Sequence, residues 1–237
     1  DVLMQPRHCT ISSRSHPVLK TKITKNYELD IPLITANMDT ITEKEMACAL
    51  ARLGGEGILH RFMGPEEQVA QVKFVKKYCE ENGLSSPVAA SIGVKQDGVD
   101  RADLLADAGV DILTIDIAHG DSVMMYETLE YVKRKYPNID VITGNVATRD
   151  GVRRMIDSGA DAVKVGIGPG SMCTTRIITG HGVPQLTAVA LGVEEAVKYN
   201  IPVIADGGIK TSGDIVKALS VGASSVMVGS LVSGTIE

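Results

Sequence analysis

The segment "DVITGNVATRDGVRRMIDSGADAVKVGIG" (residues 140–168) decides the fold. An apolar run at 140–147 gives way to the helical stretch "RDGVRRMIDSGA" (149–160), and a second apolar run follows at 162–168. Near-continuous Val and Ile runs suit strands covered on both faces, as in a parallel sheet. The helix closes on Gly-Ala directly before the next strand, as a helix C-terminus prefers. This unit recurs in both directions. Before it stand "IPLITANM" (31–38), "EGILHRF" (56–62), "VAASIGV" (88–94) and "ILTIDIAH" (112–119); after it come "PVIADGGI" (202–209) and "SVMVGSLV" (225–232). The period is roughly twenty to thirty residues, and eight strand–helix units close a TIM barrel. A doubly wound sheet is the alternative, but it does not need eight strands at such even spacing. We expect an α/β fold, a single (β/α)8 barrel over residues 1–237.

The segments between the strands support that reading. "TEKEMACALARLG" opens with a capping-box pattern, Thr42 with Glu45 three residues on, and stops at a glycine. "VDRADLLADAG" and "SGDIVKALSVGA" also end in Gly or Gly-Ala before a strand. Hydrophobic residues make up 44%, charged residues 22%, and mean hydropathy is +0.10, an ordinary globular composition. The net charge of −5 gives no basic footprint for nucleic acid. The four cysteines, Cys9, Cys48, Cys79 and Cys173, are far apart and form no CxxC pair. That argues against a zinc site or a disulfide scaffold and fits a reducing cytoplasm. No signal peptide and no bilayer-length apolar run is visible. The abrupt start at Asp1 and stop at Glu237 read as a trimmed piece of a longer protein.

A barrel places its chemistry in the loops after the strands. The unusual residues fall there: Asn37-Met38-Asp39, His60-Arg61, Asp116 to Gly120, Gly144-Asn145, Gly166 to Cys173, Asp206-Gly207-Gly208 and Gly229-Ser230. Cys173 is the sharpest, a thiol in "KVGIGPGSMCTTRIITGHGVPQ" (164–185), where a structural cysteine would sit in a regular element. A loop cysteine without a role is the bland alternative. Thr174, Thr175 and Arg176 supply polar partners of the kind a nucleophilic thiol needs. Asp206-Gly207-Gly208 reads equally as a tight turn or as a ligand loop, and Ser230 after Gly229 tips it toward a phosphate pocket. His60 and His119 read as strand-end polar groups, whereas Asp116 at a barrel mouth needs a reason for its burial. No Gly-Lys-Ser/Thr follows the glycines, so this is no P-loop.

The stretches "GIGPGSMCTTRIITGHGVPQ" (166–185), "IADGGIKTSGDIVKAL" (204–219) and "VMVGSLVSGT" (226–235) together resemble the IMP dehydrogenase and GMP reductase family, over nearly the whole chain. The resemblance implies a TIM barrel that assembles as a tetramer. It implies that Cys173 attacks C2 of a purine nucleotide to give a covalent thioimidate, with Thr175 helping to activate water or ammonia. Ser171, Gly208, Gly229 and Ser230 match phosphate-binding positions, Asp206 the ribose-binding aspartate, and Met38 and Gly207 complete the nucleotide set. Asp116, Asn145 and Gly166 match the nicotinamide side. Carbonyls of Gly168, Gly170 and Cys173 match a potassium site.

Between the two reactions the residues divide. "GVPQ" and "SGD" read closer to IMP dehydrogenases, which use NAD. "SRS" (13–15), "ANMDT" (36–40), "HRF" (60–62) and "DIAHG" (116–120) lean to GMP reductases, which use NADPH. The stretch between Phe62 and Val88 has no room for the paired CBS modules that most IMP dehydrogenases insert there. The expectation is therefore GMP reductase, with IMP dehydrogenase the alternative and a non-catalytic nucleotide-binding barrel more distant. The family's flap and the elements that separate the two reactions would lie beyond Glu237.

Overall fold

The computed structural model describes residues 2–236. Valine, isoleucine and leucine runs too short for helices pair into eight parallel strands: β3 (Leu33–Thr35), β4 (Glu56–Leu59), β5 (Ala89–Ile92), β6 (Ile112–Asp116), β7 (Asp140–Val146), β8 (Ala162–Val165), β9 (Val203–Asp206) and β10 (Ser225–Val228). Each pairs with its sequence neighbour, and β10 returns to β3 to close the barrel. The eight-stranded expectation holds. A short hairpin, β1 (Thr21–Lys22) and β2 (Glu28–Leu29), precedes the barrel and was not foreseen in the sequence.

Helices α1 (Lys44–Leu53), α2 (Pro65–Glu81), α3 (Lys95–Asp107), α4 (Val123–Lys135) and α5 (Arg149–Asp157) fill the first five crossovers. The short α6 (Thr175–Ile178) and then α7 (Gln185–Ala196) follow β8, and α8 (Ser212–Ser220) follows β9. Helices α1, α3, α5 and α8 stop within two residues of the left-handed Gly54, Gly109, Gly159 and Gly222, as their sequences implied. One capping expectation fails. Thr42 does not cap α1: its hydroxyl is buried and donates to the Ala36 carbonyl at 2.6 Å, and Glu43 takes the N-cap position. The reciprocal box forms instead at α8, between Thr211 and Asp214.

Alternation along each strand builds two shells. Ile34, Ile58, Ala89, Ile112, Ile142, Ala162, Ile204 and Met227 form the interior cluster, large side chains facing small ones at Ala89 and Ala162. The outward residues, such as Leu113, Ile115, Val163, Val165, Val203 and Val226, join the helices in the larger outer core. Burying each such side chain contributes about 1.5–3 kcal/mol. The hairpin plugs the N-terminal end, with Ile23 and Leu29 packed into the interior cluster. Its turn is fixed by Asp140, which accepts from Thr24 Oγ1 at 2.6 Å and Asn26 Nδ2 at 2.7 Å. Among the described residues the opposite end has no such plug, and the strands carry Asp116, Asn145 and Asp206 there. No helix among the described residues is long and apolar enough to cross a membrane.

Candidate active site

The inward-facing parity that fills the barrel with Ile and Ala ends, on four strands, in a polar residue. Asp116 closes β6, Lys164 lies inside β8, Asp206 closes β9, and Asn145 stands at a register shift in β7 between Gly144 and Val146. Such a bulge re-aims a side chain. The four meet at the mouth. Lys164 Nζ donates to Asp116 Oδ1 at 2.8 Å and to Asp206 Oδ2 at 2.7 Å. Asn145 Nδ2 donates to the same Asp206 oxygen at 2.8 Å and to the Gly166 carbonyl at 2.7 Å. Asn37, just beyond β3, donates to Asp116 Oδ2 at 2.9 Å. One network thus joins the ends of five strands.

Charge explains why it holds. Burial alone would push the Asp116 carboxyl up, but the Lys164 ammonium, the Asn37 amide and the nearby Arg61 outweigh it and hold Asp116 below the usual aspartate range. For Lys164 burial works against the charged form, and the two carboxylates more than reverse it, so the amine stays protonated. Its side chain is only 3% exposed. A lysine so deeply buried is found almost only where its charge is paired.

Close backbone approach sets the positions. Gly166 has φ 147°, and a Cβ there would lie 2.1 Å from the Asp206 carbonyl oxygen. Only glycine lets the ends of β8 and β9 come this near. Gln185, the first residue of α7, donates to the Val165 and Asp206 carbonyls, both at 3.0 Å, and clamps that junction. Arg176 braces the cysteine loop from behind, donating to the carbonyls of Ile167 and Val183.

Two cavities open on this floor and share Cys173 as a wall. The smaller, 270 Å³, is lined among others by Met38, Phe62, Asp116, Asn145, Lys164, Gly166, Gly168 and Thr175. The larger, 500 Å³, is lined by Ser171, Gly207, Gly208, Gly229, Ser230 and Ser233, with Asp206 and Met38 common to both. Every site residue expected from the sequence lines one cavity or both. The Cys173 thiol donates to Thr175 Oγ1 at 3.2 Å, and the Ser171 and Ser230 hydroxyls stand 3.3 Å apart across the larger cavity. Asp206 is the only charged residue lining the larger cavity among those described, so an anion there would be held by backbone amides and hydroxyls. His119 is exposed and lines neither cavity. His60 is buried, its ring accepting from the Phe62 amide at 3.1 Å and paired with Glu43 at 3.2 Å, a structural role.

The sequence reading missed Lys164, Asn37 as a partner of Asp116, and Gln185. The signal for Lys164 was present: a lone lysine in "AVKV", on the interior parity of a strand covered on both faces.

Among described residues no group of three or more His, Cys, Asp or Glu could hold a metal ion. For a carbonyl-bound monovalent ion the donors are suitable. The Gly170 carbonyl accepts the Cys173 amide at 3.1 Å, while the Gly168 and Cys173 carbonyls accept no hydrogen bond from the described residues. At the smaller cavity, Asn145 Oδ1 is buried without a hydrogen-bond partner among the described residues. That atom is a ready acceptor for an amide ligand.

Comparison with known proteins agrees with this geometry. The family profile described as "IMP dehydrogenase / GMP reductase domain" matches residues 1–237. The chain is 45% identical to the inosine-5'-monophosphate dehydrogenase of Cryptosporidium parvum, covering all of this chain and 68% of that protein. It is 40% identical to the protein of that name from Borreliella burgdorferi, covering 69% of it, and 33% identical to the one from Nitrosopumilus maritimus, covering 75%. In each case all of this chain is matched. The chain belongs to the IMP dehydrogenase and GMP reductase family, a family of NAD(P)-dependent oxidoreductases.

Proposed function

We propose that the protein oxidises IMP at C2, with NAD as hydride acceptor and water as oxygen donor, to give XMP and NADH. The observation that carries this reading is the placement of Cys173 between two cavities, with Thr175 in hydrogen-bond contact. A thiol there has access to a nucleotide base entering from the larger cavity, while a second planar ligand occupies the smaller one. The relatives named above, all inosine-5'-monophosphate dehydrogenases by name, favour the oxidation reading. The reductase stretches at 13–15, 36–40, 60–62 and 116–120 support the reverse chemistry, GMP with NADPH to IMP and ammonia, and stand as the second reading.

In this reading the phosphate sits among Ser171, Gly208, Gly229 and Ser230, and Asp206 accepts hydrogen bonds from the ribose hydroxyls. The base lies against Met38 with C2 beside Cys173. The Cys173 thiolate adds to C2, which becomes tetrahedral. Nicotinamide, when bound, supplies the acceptor for the hydride that then leaves C2, and the thioimidate remains on Cys173. Thr175 orients the water that attacks C2 and takes part in removing its proton. The C–S bond breaks and XMP departs. Splitting the reaction through the covalent adduct replaces one difficult step with two easier ones. Asp116, Asn145 and Gly166 form the nicotinamide side. Potassium would be held by the carbonyls of Gly168, Gly170 and Cys173, where its charge orients the cysteine loop. Four free thiols suit a reducing cytoplasm, and the family resemblance implies a homotetramer, which light scattering would measure.

The test is direct. The full-length protein is mixed with IMP and NAD, and separately with GMP and NADPH. Accumulation of XMP and NADH in the first mixture alone supports the proposal. NADPH consumption with release of ammonia in the second establishes the reductase reading. Tight IMP binding without turnover in either would leave only the binding barrel.

A further inference from the structure

The mouth holds one cation against two carboxylates, and the two carboxylates belong to different subsites. Asp206 lines both cavities, whereas Asp116 lines only the smaller one. Lys164 Nζ contacts both at hydrogen-bond distance, and neither carboxylate has another ion-pair partner among the described residues. We propose that Lys164 is a positioning residue whose single buried ammonium holds Asp206 for the nucleotide and Asp116 for the second substrate, so that the two subsites share one charge. The proposal rests on the reading of Asp206 as the ribose-binding carboxylate.

Three observations carry it. First, the geometry leaves no slack: both acceptors approach the same nitrogen, so moving one carboxylate strains the contact to the other. Second, a buried ion triad adds little net stability compared with apolar filling of the same volume. Its retention therefore fits a role in geometry and charge, and removing Lys164 alone should also lower the melting temperature, because two carboxylates are left without their cation. Third, the remaining partners are neutral amides, Asn37 on Asp116 and Asn145 on Asp206. The charged groups facing the pair are Lys164 from β8 and, more remotely, Arg61 from the loop after β4. Without Lys164 the two carboxylates would repel each other across the mouth, and one would take up a proton at neutral pH. A displaced Asp206 offers the ribose diol a poorer pair of acceptors.

The experiment compares Lys164→Met, which keeps length and removes charge, with Lys164→Arg, Asp116→Asn and the double variant Lys164→Met/Asp116→Asn. IMP affinity is measured by calorimetry, because IMP is substrate of one family reaction and product of the other. Lys164→Met should bind IMP on the order of 10–100-fold more weakly, the loss expected for a charged hydrogen bond, and KM for the dinucleotide should rise as well. Its kcat should fall less than either KM rises, and Lys164→Arg should recover part of the loss. In Lys164→Met, kcat/KM should climb with pH across a range where the wild type is flat, since the shared proton must leave. Removing one carboxylate removes the repulsion, so the double variant should bind IMP more tightly than Lys164→Met alone. If Lys164→Met does not fold, the double variant against Asp116→Asn makes the same comparison. Wild-type affinity and a flat pH profile in Lys164→Met, or a double variant as weak as the single, would overturn the proposal while leaving the site assignment standing. A wild-type protein that binds no IMP would remove the site assignment, and this proposal with it.

Discussion

Two carboxyl groups at opposite ends of the same barrel, one buried and one half-buried, have opposite fates. Glu56 opens β4 at the plugged end, 3% exposed, with only the Ser86 hydroxyl at 3.4 Å and backbone groups to solvate it. Burial pushes its carboxyl well above the usual range, and it stays neutral. Asp116 closes β6 at the open end, half-buried, and there Lys164 holds it ionised. The difference is one ammonium. At the plugged end polar groups such as Asp140 serve the fold; at the open end charge is concentrated, paired and turned toward cavities. The same strands supply both ends, so side-chain parity and the choice of terminal residue decide which end does chemistry.

Substitutions can break that contrast in order of severity. Cys173→Ala should lower turnover by at least about 10³-fold, because it removes the covalent route, while IMP affinity stays within a few-fold. Single-turnover kinetics and calorimetry would separate the two. Gly229→Asp should weaken IMP binding by roughly 100-fold through charge repulsion against the phosphate. A Cβ at Gly229 would meet only Ala36, at 3.7 Å, so the carboxylate and not strain is being tested. Unchanged affinity in the folded variant would move the phosphate elsewhere.

The plugged end should answer in stability alone. Asp140→Ala loses the Thr24 and Asn26 bonds and should cost about 2–4 kcal/mol in denaturant unfolding, with nucleotide affinity intact. The smallest effect is Glu56→Gln. With its folded pKa raised above the unfolded value of 4.5, Glu56 keeps a proton that the unfolded chain releases, so stability falls as pH rises past 4.5. Glutamine abolishes that slope and should raise Tm by roughly 2–4 °C at neutral pH, with the gain vanishing near pH 4.5. A gain equal at both pH values would assign the effect to packing. At the open end Asp116 has the opposite sign, while Lys164, also raised, has the same sign as Glu56 at higher pH. Asp116 is depressed, so its contribution is present above 3.8 and lost as acid protonates it. Lys164 is raised, so its contribution persists below 10.5 and is lost only in stronger alkali.

The barrel was legible because burial on both faces leaves long apolar runs, and because four crossover helices, α1, α3, α5 and α8, stop at a glycine. The cavity-lining loops were legible for a related reason: once the strands are counted, their C-terminal ends locate the mouth. What escaped was short or hidden. The plug hairpin has strands of two residues each, too short for any alternation to show. Lys164 hides inside an apolar run, and its significance depends on Asp116 and Asp206, 48 and 42 positions away. Thr42 matched a helix cap in spacing, but tertiary packing turned its hydroxyl to the Ala36 carbonyl instead.

The central claim is a covalent bond between Cys173 and purine C2. Mass spectrometry of the protein incubated with 6-chloropurine ribotide, which loses chloride when a thiolate attacks C6 and cannot turn over, identifies the thiol that faces the purine ring. The account predicts one nucleotide added to the Cys173 peptide, with Cys9, Cys48 and Cys79 unmodified. An adduct on any of those three, or none on Cys173 while IMP and NAD still give XMP, would contradict it.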